Sequence, residues 1–220
     1  MSKKLILYWI LVWILLVATN IVQASPVTIH ISGVVTDVRD LEDYPYSDTV
    51  YAGVAITGTY TFDSTTVDSN SQDSIGSYVH GSPYGFNISI GGFQFKTAES
   101  HIDQFAISIY NDYSLQTYDR YIIESIQNAP LSTGLNVGLI GFGLSDYTHT
   151  AISTTVLFPD APDLDAWGNN AGLYINCGGP PNGNPTFVIW AAITEAVLIP
   201  EPATLALLGL GGLLLRPKRS

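Results

Sequence analysis

Asp160, Asp163 and Asp165 stand at i, i+3 and i+5 in a segment stiffened by Pro159 and Pro162. Three carboxylates so close repel one another unless a cation or water screens them. A hard cation such as calcium takes roughly six to eight oxygens from a loop of this kind. Trp167-Gly168-Asn169-Asn170 follows and could add carbonyl oxygens. A second acidic stretch, punctuated by Asp63, Asp68 and Asp73, runs through Ser, Thr and Asn residues. Neither stretch has the Asp-x-Asp-x-Asp-Gly spacing of an EF-hand. Both therefore stand as candidate calcium loops, with a solvated acidic loop as the plainer alternative.

Other chemistries have weaker footing. His30, His80, His101 and His149 lie far apart, with no HExxH or HxH spacing, so folding alone would have to assemble a zinc site. There is no GxSxG nucleophile elbow. Cys177, the single cysteine, excludes an intramolecular disulfide framework and precedes the loop-like Gly178-Gly179-Pro180-Pro181. Nothing fixes a carboxylate pair at the separation of about 5–9.5 Å that glycoside hydrolysis needs. The chain holds 13 tyrosines, enough to suggest a face that stacks on sugar rings, although tyrosine also simply suits half-buried strands. Thr57, Thr59 and Thr61 form one alternating row.

The elements that must position these residues follow a period of two. Ile56, Tyr60 and Phe62 alternate with Thr57, Thr59 and Thr61, which predicts a strand with one buried and one wet face. Phe86 to Ile90, Gly91-Gly92 and Phe93 to Lys96 predict a hairpin, because two glycines suit the positive φ angles of a primed turn. Phe105–Ile109 alternates again. Further strands are expected at 27–35, 118–123, 135–144, 151–158, 173–175 and 187–197. No capped stretch of period 3.6 is found. Turn-rich punctuation every 8–15 residues or so predicts an all-β fold, an antiparallel β-sandwich of jelly-roll type, in one domain over 25–199.

The 220 residues carry a formal net charge of −11, but the charge is unevenly distributed. Residues 25–199 hold three basic residues (Arg39, Lys96, Arg120) against eighteen acidic ones, a net charge of −15. This argues against nucleic-acid binding, which needs clustered Lys and Arg. Apolar tails bracket this acidic body. At the N-terminus Lys3 and Lys4 precede the apolar run Leu5–Val17, and Val22-Gln23-Ala24 offers a cleavage site before Ser25. Residues 1–24 thus read as a secretory signal peptide cut between Ala24 and Ser25, an uncleaved membrane anchor being the alternative.

At the other end Pro200-Glu201-Pro202 is followed by the uncharged run Ala203–Leu215 and then Arg216-Pro217-Lys218-Arg219-Ser220. Thirteen residues as a helix would reach about 20 Å, short of the roughly 30 Å of bilayer hydrocarbon, so the run suits a transient stay in a membrane with its basic end on the cytoplasmic side. Triplet, apolar run and basic end, in that order over 200–220, closely resemble the PEP-CTERM protein-sorting signal of bacteria. The resemblance implies recognition by an exosortase, a membrane transpeptidase-like enzyme, with Pro200, Glu201 and Pro202 as the recognition motif and not as catalytic residues. It also implies a producing cell that makes extracellular polysaccharide. The segment Gly58-Thr59-Tyr60-Thr61-Phe62-Asp63 and the steps Tyr84-Gly85-Phe86 and Gly91-Gly92-Phe93 are similar to those of exported proteins that carry the same signal, which implies a β-sandwich without assigned activity.

The sequence therefore predicts a non-enzymatic, structural or adhesive protein, exported across the inner membrane to the cell surface or extracellular matrix. No cofactor is expected beyond calcium. The expected partners are the processing enzyme, the membrane before processing, and polysaccharide or other surface components. A calcium- or carbohydrate-binding lectin-like module is the alternative, and a secreted hydrolase a more remote one.

Overall fold

A computed structural model describes residues 26–46, 48–100, 102–112, 118–168, 170–179 and 184–200. The expected signal peptide, its expected cleavage point at Ala24 and Ser25, and the expected sorting tail from Glu201 onward lie outside the described residues. Ten strands make up the body: β1 Pro26–Asp40, β2 Ala55–Asp63, β3 Ile75–His80, β4 Gly85–Ile90, β5 Phe93–Lys96, β6 Phe105–Tyr110, β7 Asp119–Ser125, β8 Val137–Asp146, β9 Ala171–Cys177 and β10 Phe187–Ile199. They form one antiparallel sheet in the order β3-β6-β7-β8-β9-β10-β1-β2-β4-β5. No helix occurs among the described residues.

Alternation makes each strand two-faced, and the sheet curls to bury the apolar face. In β1 Val27, Ile29 and Ile31 point inward while Thr28, His30 and Ser32 point outward. The curl brings distant strands into contact. Tyr60 of β2 stacks on Phe142 of β8 with ring centroids 5.8 Å apart, and Phe86 of β4 meets Phe105 of β6 edge-on at 5.4 Å. Each large side chain buried in this way contributes about 1.5–3 kcal/mol. Backbone bonds tie the curl where β5 ends. Thr97 bridges Asn128, Ala98 N–H donates to the Gln127 carbonyl at 3.0 Å, and Ala129 N–H donates to Lys96 at 2.9 Å.

The expected hairpin is present, with Gly91 and Gly92 at φ 56° and 86°, angles that side-chain-bearing residues seldom adopt. The described residues are all-β and antiparallel, as expected, and form one continuous curled sheet of ten strands. One expectation changes: residues 151–158, expected as a strand, form an irregular segment. Tyr78 pins it by donating its hydroxyl to the Thr155 carbonyl at 2.7 Å and accepting the Leu157 N–H at 3.1 Å. Strand β3, absent from the sequence expectation, supplies that tyrosine.

Candidate functional site

Strand register, not sequence proximity, assembles the acidic site. Asp119 opens β7 and Asp146 closes β8, and the two are direct partners across the ladder. Both carboxylates are buried, which is costly for a charge without compensating donors. The donors come from the loop that follows β8. Oδ1 of Asp146 accepts Thr148 N–H at 2.8 Å and the Thr148 hydroxyl at 2.6 Å, while Oδ2 accepts Thr150 N–H at 2.8 Å and Ala151 N–H at 2.9 Å. These bonds, the Thr148 hydroxyl first, hold the Asp146 carboxyl well below the usual carboxylate range. Asp119 accepts Asp112 N–H at 3.2 Å on one oxygen and Ile152 N–H at 3.3 Å on the other.

The rim of the site is drawn from two further turns. His149 Nδ1 lies 2.6 Å from Asp112 Oδ1, and both residues are in the left-handed region, at φ 60° and 48°. Asp and His are both among the side-chain-bearing residues that adopt that conformation most often. One ligand atom from each of Asp112, Asp119 and His149 falls within 4.8 Å of the others. Two carboxylates and an imidazole are a donor set that a divalent cation could use. Tyr118 and Tyr147, next in sequence to Asp119 and Asp146, pack at 4.9 Å beside the cluster.

The residues singled out in the sequence are placed differently. Asp63, Asp68 and Asp73 do not converge to within 4.8 Å of one another, nor do Asp160, Asp163 and Asp165. Oδ1 of Asp63 accepts Thr65 N–H at 2.8 Å, and Oδ1 of Asp68 accepts Asn70 N–H at 2.8 Å and Ser77 N–H at 2.9 Å. Asp163 Oδ1 accepts Asp165 N–H at 3.1 Å. Asp163 and Asp165 border, with Glu195, a shallow cleft of about 260 Å³ beside β10. The tyrosines do not share one face: Tyr46, Tyr78 and Tyr121 are buried, whereas Tyr51 and Tyr147 are exposed. Tyr174 lies across Gly141 and donates its hydroxyl to Glu124.

Of the histidines, His30 bonds Thr57 at 2.9 Å and His80 is buried, its Nε2 donating to the Asp63 carbonyl at 3.2 Å. His101 lies outside the described residues. Burial pushes the Cys177 thiol up to about 12, so it stays protonated at neutral pH and is a poor nucleophile. Of this cluster the sequence singled out His149 alone, as one of four scattered histidines. The signal that could have located the site is Asp119 at the start of one expected strand and Asp146 just past the end of the next.

Of the expected recognition motif Pro200-Glu201-Pro202, Pro200 alone lies within the described residues, and it follows Ile199, which still pairs with Thr28. No family model, curated protein or solved structure matches the chain.

Proposed function

We propose that the chain is an exported bacterial protein, sorted by its C-terminal PEP-CTERM-like tail to the cell surface or extracellular matrix, where its body serves a structural or adhesive role. The observation that carries this reading is the order Pro200-Glu201-Pro202, uncharged run, basic end, beginning directly where the last strand stops. The fold is compatible with it. Strands β1 and β10 are antiparallel neighbours, so Pro26 and Pro200 lie at the same end of the sheet. A signal peptide cut before Ser25 and a tail beginning at Pro200 would then both attach at that end.

We read the curled sheet as a sandwich-like body whose two halves share one core. The role is passive. The buried carboxylates of Asp119 and Asp146 hold backbone N–H groups, and Cys177 is a buried thiol. A body of net charge −15 engages anionic polymers only through an intervening cation and suits neutral partners directly. An exosortase-type enzyme would process the tail while the apolar run rests in the inner membrane.

Alanine at Pro200, Glu201 and Pro202 in the full chain tests this in a bacterium that carries such an enzyme. Cell fractionation is expected to find the unaltered protein at the surface or in the matrix, and the variant held in the inner membrane. Identical distribution of the two would overturn the reading.

A further inference from the structure

The outer face of β2 and β4, with the turn before β4 and the segment 97–99 after β5, carries a cleft of about 270 Å³ that lies apart from the acidic cluster. Its floor is made by register: Thr59 faces Asn87 across the β2–β4 ladder, and Thr61 faces Gly85. Gly85 leaves a notch in this face. Any Cβ there would meet Thr97 at 2.5 Å, and its φ of 149° also disfavours a side chain. Thr97 is locked beneath the notch. Its hydroxyl accepts Phe86 N–H at 3.0 Å and donates to Ser125 Oγ at 2.9 Å, and Ser125 in turn donates to Asn128 Oδ1 at 2.7 Å. Pro83 and Tyr84 make one wall and Glu99 stands at the rim. The floor therefore belongs to rigid strands, which is how precise sites are built.

We propose that this cleft binds a neutral sugar residue of a polysaccharide chain. The lining selects that chemistry. Threonine hydroxyls, the Asn87 amide and the Glu99 carboxylate mix donors and acceptors, as a polyol demands, since each of its hydroxyls does both. Proline and tyrosine add an apolar wall for the C–H face of a ring. The volume of about 270 Å³ lies just below the usual range of about 300–1,000 Å³ for small-molecule sites and suits one sugar unit with the chain continuing into solvent. A phosphorylated or acidic ligand is disfavoured, because the Glu99 carboxylate stands at the rim and Lys96 is already 3.8 Å from it as its ion-pair partner. Strand addition at the cleft floor is closed off, because β2 is paired with β1 and β4, and β4 with β2 and β5. The inference rests on the reading of the body as a passive, ligand-holding domain and is independent of what happens to the tail.

The test is affinity electrophoresis of the full chain in a zwitterionic, sugar-free detergent, through native gels containing dextran, galactomannan or xylan, with alginate as the acidic polymer. At least one neutral polymer is expected to retard the protein, and alginate is not. Asn87→Ala and Thr59→Val, both on the outer face, are expected to weaken that retardation about tenfold or more with unchanged circular dichroism. Retardation by none of the neutral polymers, by alginate alone, or equally in the wild type and both variants would overturn the proposal. None of these results bears on sorting, which the tail variant tests separately.

Discussion

Two acidic regions of this molecule differ in a way that reverses their appearance in sequence. Asp160, Asp163 and Asp165 crowd within six residues, yet the fold leaves their side chains apart, with one short backbone bond from Asp165 N–H to Asp163. Asp119 and Asp146 are 27 positions apart, yet the β7–β8 ladder sets them side by side and buries both. Sequence proximity placed the first group on an exposed turn, where water solvates each carboxylate separately. Register placed the second group where backbone and hydroxyl donors of the protein take over that role. The difference teaches that in an all-β chain, charges acquire structural weight through the ladder that pairs them.

Removing the strongest acceptor tests this contrast most severely. Asp146→Ala is expected to cost about 3 kcal/mol in urea unfolding, because the charged bonds are lost and the N–H groups of Thr148, Thr150 and Ala151 lose their acceptor. Asp119→Asn keeps one carbonyl oxygen and is expected to cost less, about 1–2 kcal/mol. At the other extreme, replacing Asp160, Asp163 and Asp165 together by Asn is expected to change stability by no more than about 0.5 kcal/mol. A triple variant as damaging as Asp146→Ala would dissolve the comparison.

Acid sharpens it. Asp146 has its carboxyl depressed in the folded state, so its contribution is fully present above the unfolded value of about 3.9 and disappears as pH falls below it. His80 behaves differently. Burial lowers its folded pKa, so the unfolded chain takes up the proton first, and stability begins to fall below about pH 6.5. Unfolding free energy measured across pH is thus expected to decline in two stages. His80→Phe should remove the upper stage and Asp146→Asn the lower. A single stage shared by both variants would contradict the assignment.

Much of the fold was legible because period-two patterning and turn glycines act locally. Phe86 to Lys96 reads as a hairpin and is one, since Gly91 and Gly92 supply what the turn demands. The failures have tertiary causes. Ala151 to Phe158 has strand-like residues, but Asp146 claims the N–H groups just before and at its start, and Tyr78 claims Thr155 and Leu157. Ile75–His80 pairs with β6 although Gly76 and Ser77 interrupt its apolar pattern. The candidate site was less legible than the fold. Asp112, Asp119 and His149 meet only once β6, β7 and β8 are in register, and no local spacing encodes that meeting.

The central claim, sorting through the two tails, is tested most directly by intact-mass and terminal-peptide mass spectrometry of the full chain recovered from a host with an exosortase-type enzyme and from one lacking it. The account predicts a mature N-terminus at Ser25 in both hosts. It also predicts loss of the residues beyond the Pro200-Glu201-Pro202 motif only where the enzyme is present. A chain that retains Met1 to Ser220 in both hosts would contradict it.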